Sequence, residues 1–144
     1  MSRSAVLTVD HVDKTFRVGF WRRRVEAVQD VSFSVRDGEI FGIVGPNGAG
    51  KTTTMKMMTN LIFPDAGEVR LFGEPTTRAN SRRRLGYLPE EPYFYDHLSA
   101  TEMLHYYGAL HGLSRDAVDE RIGDLLELVG LADVPDRPFH EFSK

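Results

Sequence analysis

One short stretch constrains the fold of this chain more than any other. It fits the pattern G-x-x-x-x-G-K-[ST], in which a glycine loop joins a buried strand to a helix and holds phosphate. The apolar run at 40–44 predicts the strand, and apolar residues at helical spacing over 53–61 predict the helix. A flexible glycine turn on a basic helix is the alternative, and it does not explain both neighbours. The stretch consists of Gly45, Pro46, Asn47, Gly48, Ala49, Gly50, Lys51 and Thr52.

Each residue type in this loop has a physical reason to bind phosphate. Glycine lets the backbone turn sharply and brings amide N–H groups close to an anion. A helix that begins near Gly50 adds unpaired N–H groups and the positive end of its dipole. Lys51 supplies a mobile positive charge, and the hydroxyl of Thr52 suits a phosphate-bound Mg²⁺. The loop therefore predicts a site for a nucleoside triphosphate with Mg²⁺.

Composition excludes several other kinds of protein. The net charge of −3 argues against bulk binding of nucleic acid, and no apolar stretch approaches the ~20 residues that a membrane helix needs. The absence of cysteine excludes disulfides and thiolate zinc sites, and it suits a reducing cytoplasm. No G-x-G-x-x-G occurs, so a dinucleotide site is not predicted.

Patterning divides the chain at about residue 90. Strands are predicted at 5–12, 14–18 and 31–35 before the loop, and at 68–73 and 85–88 after it. A helical turn is predicted at 80–84, between the last two strands. In residues 91–144, Ser99 and Glu102 form a capping box for one helix, while Ser114 and Gly130 bound a second. Antiparallel strands ahead of the loop argue against a small-molecule kinase.

The segment 19–24 combines two aromatic residues with three arginines at a predicted hairpin tip. One interpretation is a contact with a membrane surface or a partner. The interpretation favoured by the sequence is a solvated loop in which Trp21 folds back on the sheet, because short charge runs are usually solvated.

Taken in order, these features resemble the nucleotide-binding subunit of an ATP-binding cassette (ABC) transporter over about 5–144. Besides the loop, the matching segments are KTF at 14–16, VSFSVRDGE at 31–39, PDAGEV at 64–69, LGYLPE at 85–90 and LSATE at 98–102. The resemblance implies an α/β fold: a P-loop NTPase core with an N-terminal antiparallel β-subdomain and part of the α-helical subdomain.

Residue roles can be carried over from the family where positions match. Phe16 falls where the family places an aromatic that stacks on adenine, with plain sheet core as the alternative. Residues Gly45 to Thr53 are implied to wrap the phosphates of ATP, with Thr52 on Mg²⁺. Glu90 stands where the family usually has Gln, so it either approaches Mg²⁺ or is a solvated loop acid.

The resemblance also implies partners. A second ATP-binding subunit and an integral-membrane permease are expected, with no nucleic acid, at the cytoplasmic side of a membrane. Tyr93, Phe94 and Tyr95 are expected at the permease surface, with burial inside the helical lobe as the alternative. FSK at 142–144 resembles the opening of the family's signature motif, so we expect this piece to bind ATP without hydrolysing it. The parent protein is expected to hydrolyse ATP for export; a soluble ABC-type ATPase acting on ribosomes or DNA is the alternative.

Overall fold

The computed structural model describes residues 4–90 and 92–142, and the chain forms two compact units, Met1–Tyr87 and Leu88–Lys144. The first unit contains an antiparallel sheet in the order β2-β1-β3-β4, with one helix, α1, after β2. The strands are β1 (Ala5–Val18), β2 (Arg23–Arg36), β3 (Ala66–Leu71) and β4 (Glu74–Pro75), and α1 is Lys51–Met58. A 3₁₀ helix at Ala79–Arg84 matches the predicted turn.

The prediction of two separate strands before residue 18 is wrong, because β1 is continuous and contains bulges. Val9 and Val12 are both buried although they are three residues apart, which a regular strand would place on opposite faces. One extra residue in β1 between them, with His11 at φ 46°, resets the alternation. The sheet can therefore direct both valines into the core.

The core of the first unit lies between the sheet and α1. Its buried members are one methionine of α1 and valines from three strands, with Met57 1 % and Val12 0 % exposed. Because burial of such side chains is the main stabilising term in folding, these contacts hold α1 on the sheet. The full set is Val9, Val12, Val28, Met57 and Val69.

Two predicted strands are absent. Residues 40–44 form no strand; Ile40 and Val44 are fully exposed, and Phe41 stacks on Phe33 of β2 with ring centroids 4.8 Å apart. A fully apolar strand needs parallel neighbours that cover it, and every strand pair between the described residues is antiparallel. Residues 85–88 also remain without strand pairing in the described ranges.

The loop between β1 and β2 also differs from the favoured interpretation. Trp21 does not fold back on the sheet, since 90 % of its surface is exposed, and Phe20 is 93 % exposed. The strands continue to Val18 and Arg23, so a four-residue turn carries both aromatic rings into solvent.

The second unit contains helices α2 (Ala100–Leu110) and α3 (Arg115–Leu128) and a short 3₁₀ helix at Phe139–Glu141. The predicted capping box is confirmed: Glu102 N–H donates to Ser99 Oγ at 3.2 Å, and Ser99 N–H donates to Glu102 Oε2 at 2.9 Å. Ser114 caps α3, and Gly130 ends it at φ 70°. No helix in the described ranges is long and apolar enough to cross a membrane.

Candidate functional site

The glycine loop in the first unit adopts a conformation that only glycine takes readily. Gly48 and Gly50 have φ of 83° and 82°, in the left-handed region. Between them, Ala49 N–H donates to the Pro46 carbonyl at 3.2 Å and closes a tight turn. The sequence pattern therefore predicts glycine at the two positions, 48 and 50, whose backbone conformation a Cβ atom would strain.

The helix after the loop begins where the sequence predicts it. Gly50 is the N-cap of α1, and its carbonyl accepts the N–H of Thr54 at 2.8 Å and the Thr54 hydroxyl at 3.0 Å. The N–H groups of Lys51, Thr52 and Thr53 precede that first helical bond and have no acceptor within the helix. They supply donors and partial positive charge at the loop.

The backbone of the glycine loop holds the Lys51 side chain through two hydrogen bonds. Its Nζ donates to the carbonyl oxygens of Gly45 at 2.7 Å and Pro46 at 2.8 Å. An ammonium group has three protons, so one donor remains for an external acceptor. The loop and its lysine together supply a positive charge and several backbone N–H donors, which suit phosphate.

The residues also fit Mg²⁺ bound through a nucleotide. Thr52 is exposed at the first turn of α1 and presents a hydroxyl next to these N–H groups. Mg²⁺ takes few protein oxygens and completes its shell with water and phosphate, so one hydroxyl is an adequate protein contribution. Among the described residues, no group of three or more His, Asp or Glu side chains is placed to hold a metal by itself.

Phe16 lies in β1 opposite Val25 and is only partly buried, outside the core cluster. The Nζ of Lys14 lies 5.7 Å from the centroid of its ring, and the same Nζ donates to Asp65 Oδ1 at 2.8 Å. The other carboxylate oxygen accepts the N–H of Thr15 at 2.8 Å, and these bonds from Lys14 and Thr15 lower the pKa of Asp65. Phe16 is therefore partly accessible, on a strand that the hydrogen bonds to Asp65 hold in place.

Asp65 is a positioning residue that the sequence analysis missed. Its place directly before Ala66 and Gly67 in a turn is the signal, because turn aspartates commonly accept nearby backbone N–H groups. Here the Asp65 carboxylate accepts the N–H of Thr15 on β1, a residue far away in the sequence, and turn chemistry alone does not predict that contact.

Glu90 lies in the second unit with its side chain exposed, and its role at Mg²⁺ stays a prediction. In the same unit, Phe94 stacks on Phe139 with centroids 5.0 Å apart, and Tyr95 meets Tyr106 edge-on at 5.5 Å. Tyr93 is 95 % exposed. Of the three aromatics predicted at a surface, Tyr93 presents its ring to solvent, while the other two also serve internal packing.

Comparison with known proteins gives a consistent family. A model described as ABC transporter matches residues 28–144. An uncharacterised ABC transporter ATP-binding protein of Synechocystis is 43 % identical over 122 residues, which are 84 % of this chain and 34 % of that protein. The Nod factor export ATP-binding protein I of Ralstonia nicotianae is 38 % identical over 118 residues, which are 81 % of this chain and 37 % of that protein.

A solved structure of the ATP-binding subunit of an ABC transporter has the same fold. Its TM-score is 0.77 at 30 % sequence identity, and the match covers 96 % of this chain and 56 % of that one. The predicted α/β architecture, an antiparallel sheet with a P-loop helix and part of a helical subdomain, is confirmed by this likeness. The chain spans only part of the length of each protein compared here. With its family match and its fold in agreement, the chain belongs to the ABC transporter ATP-binding proteins.

Proposed function

We propose that this chain binds Mg²⁺ and ATP through the loop from Gly45 to Thr53. The observation that supports this proposal is the structure of the loop itself. Two glycines in the left-handed conformation precede a helix whose first N–H groups have no acceptor within the helix, and the Lys51 ammonium is hydrogen-bonded to the same loop. Backbone N–H groups of residues 47–53 would hold the phosphate oxygens, and Lys51 would add a point charge. Phe16 would stack on the adenine ring.

In the longer proteins of this family, we infer that the site hydrolyses ATP and drives export. Phosphoryl transfer needs a positioned water and charge neutralisation beyond a phosphate loop. For this chain by itself we propose ATP binding without turnover, because the contacts proposed from Lys51, Thr52 and the loop N–H groups hold the phosphates and Mg²⁺ and do not position an attacking water. The support for export is the similarity to the Nod factor export ATP-binding protein I, at 38 % identity.

The proposed partners are an integral-membrane permease and a second ATP-binding subunit, at the cytoplasmic face of a membrane. Tyr93 is the best candidate for the permease contact, because an almost wholly exposed tyrosine is typical of interface anchors. Glu90 would respond to the Mg²⁺–phosphate group from its loop, where a carboxylate brings negative charge that the usual amide lacks.

Titration with a fluorescent ATP analogue in Mg²⁺ tests the binding site. Lys51→Ala is expected to weaken affinity about tenfold or more, since a charge-assisted hydrogen bond is worth roughly 1.5–3 kcal/mol. Lys56→Ala is the matched control, because Lys56 is an exposed lysine in the last turn of the same helix. Equal affinities of the two variants would overturn the proposal.

A further inference from the structure

The β1–β2 hairpin extends beyond the remainder of its sheet. β3 pairs with β1 as far as Asp13, opposite Ala66, whereas β1 and β2 remain paired to Val18 and Arg23. The last five residues of β1 therefore run about 17 Å, at roughly 3.4 Å per residue, with no third strand beside them in the described residues. The hairpin is thus a two-stranded arm, and the turn at 19–22 lies at its end.

The end of this arm, residues 17–24, is here called the arm tip. Phe20 and Trp21 are 93 % and 90 % exposed, and their rings meet edge-on with centroids 5.8 Å apart. No ion pair formed between described residues involves an arginine of the tip. The tip has no acidic residue and four arginines: Arg17, Arg22, Arg23 and Arg24.

The arm tip carries most of the net positive charge of the unit that holds it. Residues 1–87 contain 14 Lys and Arg against 9 Asp and Glu, a net charge of +5, and the four tip arginines contribute +4, so the rest of the unit sums to +1. Because this charge is concentrated at the end of a hairpin, beside two exposed aromatic rings, and does not form a stripe along the unit, it suits a flat anionic surface such as a membrane better than a long nucleic acid.

The side chains of the arm tip match the boundary layer of an anionic bilayer. Tryptophan concentrates at the headgroup level because its ring is apolar and its N–H is polar. Arginine pairs with phosphate through two parallel hydrogen bonds and is weakly hydrated for a cation. Exposed aromatics interleaved with arginines are the composition of surface-bound membrane segments rather than of spanning ones.

We propose that the arm tip docks on an anionic lipid surface, with Phe20 and Trp21 at the headgroup boundary and the arginines on lipid phosphates. This contact is independent of nucleotide binding and is additional to any contact through a permease. Each basic residue near an anionic leaflet strengthens binding about fivefold, so the tip arginines together give a large electrostatic contribution that salt weakens.

Trp21 is the single tryptophan of the chain, so its fluorescence reports on the tip directly. The chain is mixed, without nucleotide, with vesicles of phosphatidylcholine alone or with an equal part of phosphatidylglycerol. The expected result is a blue shift of Trp21 emission and co-flotation with the anionic vesicles only, both reversed by high salt. Absence of the shift with anionic vesicles at low salt would overturn the proposal, as would a shift produced only by a single-stranded oligonucleotide.

A charge-matched pair of variants separates the tip from net charge. Replacing Arg22, Arg23 and Arg24 by Gln is expected to lower vesicle partitioning about a hundredfold, since three fivefold factors are lost. Replacing three exposed arginines elsewhere by Gln removes the same charge and is expected to leave partitioning nearly unchanged; these are Arg83, Arg115 and Arg121. Equal losses in both variants would show a general charge effect and contradict docking by the tip. Unchanged ATP-analogue affinity in the tip variant would show that the nucleotide site is intact.

Discussion

The carbonyl oxygen of Ala27 in β2 lies only 2.2 Å from the position that a Cβ atom on Gly50 would occupy. Ala27 is the extra residue of a bulge, since Val28 is opposite Lys14 and Glu26 is opposite Thr15. The backbone of β2 therefore packs directly against the backbone of the phosphate loop at Gly50. A Cβ atom at this position could not be accommodated by moving a flexible side chain, because the neighbouring atom belongs to the backbone.

Gly50→Ala is expected to destabilise the first unit and to abolish binding of an ATP analogue. Gly48→Ala is the matched control, because Gly48 has nearly the same φ but nothing within 4 Å of its Cβ position. In the control, the free energy of unfolding is expected to fall only by the cost of placing alanine in the left-handed conformation, about 1–2 kcal/mol. Urea unfolding and nucleotide titration of both variants check this, and equal losses of stability would show that the contact with Ala27 is unimportant.

The phosphate loop could be predicted from the sequence because its geometry is local. Two glycines at left-handed positions and a helix that begins at Lys51 depend on neighbouring residues alone. The strand predicted at 40–44 fails for the opposite reason. Its apolar residues need parallel strands to cover them, and a pattern of five residues does not specify partners.

Bulges explain why β1 was predicted as two strands. The predicted break falls at Asp13, between Val12 and Lys14, where the register of β1 against β2 shifts. An extra residue near Asp30 in the facing strand absorbs this shift and keeps the ladder continuous. The exposure of Trp21 could not be predicted either, because an apolar ring at a turn is usually covered. Only the length of the arm beyond β3 puts that ring out of reach of the sheet.

Thr52 is expected to make nucleotide affinity depend on Mg²⁺. Thr52→Ala removes the exposed hydroxyl at the first turn of α1, whereas Thr52→Ser keeps it. The ratio of ATP-analogue affinities with and without Mg²⁺ should fall about tenfold in the alanine variant, on the scale of losing a metal-site hydrogen bond, and should be preserved in the serine variant. A serine variant that behaves like alanine would count against a role for the hydroxyl.

Met57 should carry much of the attachment of α1 to the sheet. Met57→Ala removes a side chain that is 1 % exposed and packs in the valine core, so it is expected to lower the free energy of unfolding by about 2–4 kcal/mol. Met55→Ala, on the same helix at 40 % exposure, is expected to change it by less than about 1 kcal/mol. Chemical denaturation measures both values, and similar losses would refute the assigned core.

In the second unit, Gly108 sets the separation of α2 and α3. A Cβ atom there would lie 2.5 Å from Cγ2 of Val118, while the Cβ position of Gly123 in α3 is open. Gly108→Ala is therefore expected to destabilise the unit by about 1–3 kcal/mol through overpacking. Gly123→Ala should stabilise it by about 0.5–1 kcal/mol, because alanine is the better helix former. Thermal unfolding followed by circular dichroism should show shifts of opposite sign.

His11 and Asp30 should make the stability of the sheet depend on pH. Both residues have φ of 46°, and Nδ1 of His11 lies 2.5 Å from Oδ1 of Asp30. The hydrogen bond and charge of Asp30, with smaller contributions from Asp10 and Asp13, raise the pKa of His11. A histidine whose folded pKa is raised stabilises the fold fully below its unfolded pKa of about 6.5, and this contribution disappears as pH rises through the folded value.

The urea midpoint is accordingly expected to fall as pH is raised above the unfolded value of about 6.5, through the range in which the folded histidine loses its proton. Asp30→Asn keeps the residue's tolerance of the left-handed conformation and removes its charge. It should flatten that part of the pH profile and lower the His11 pKa measured by NMR titration. An unchanged His11 titration in this variant would mean that the short contact does not control its proton.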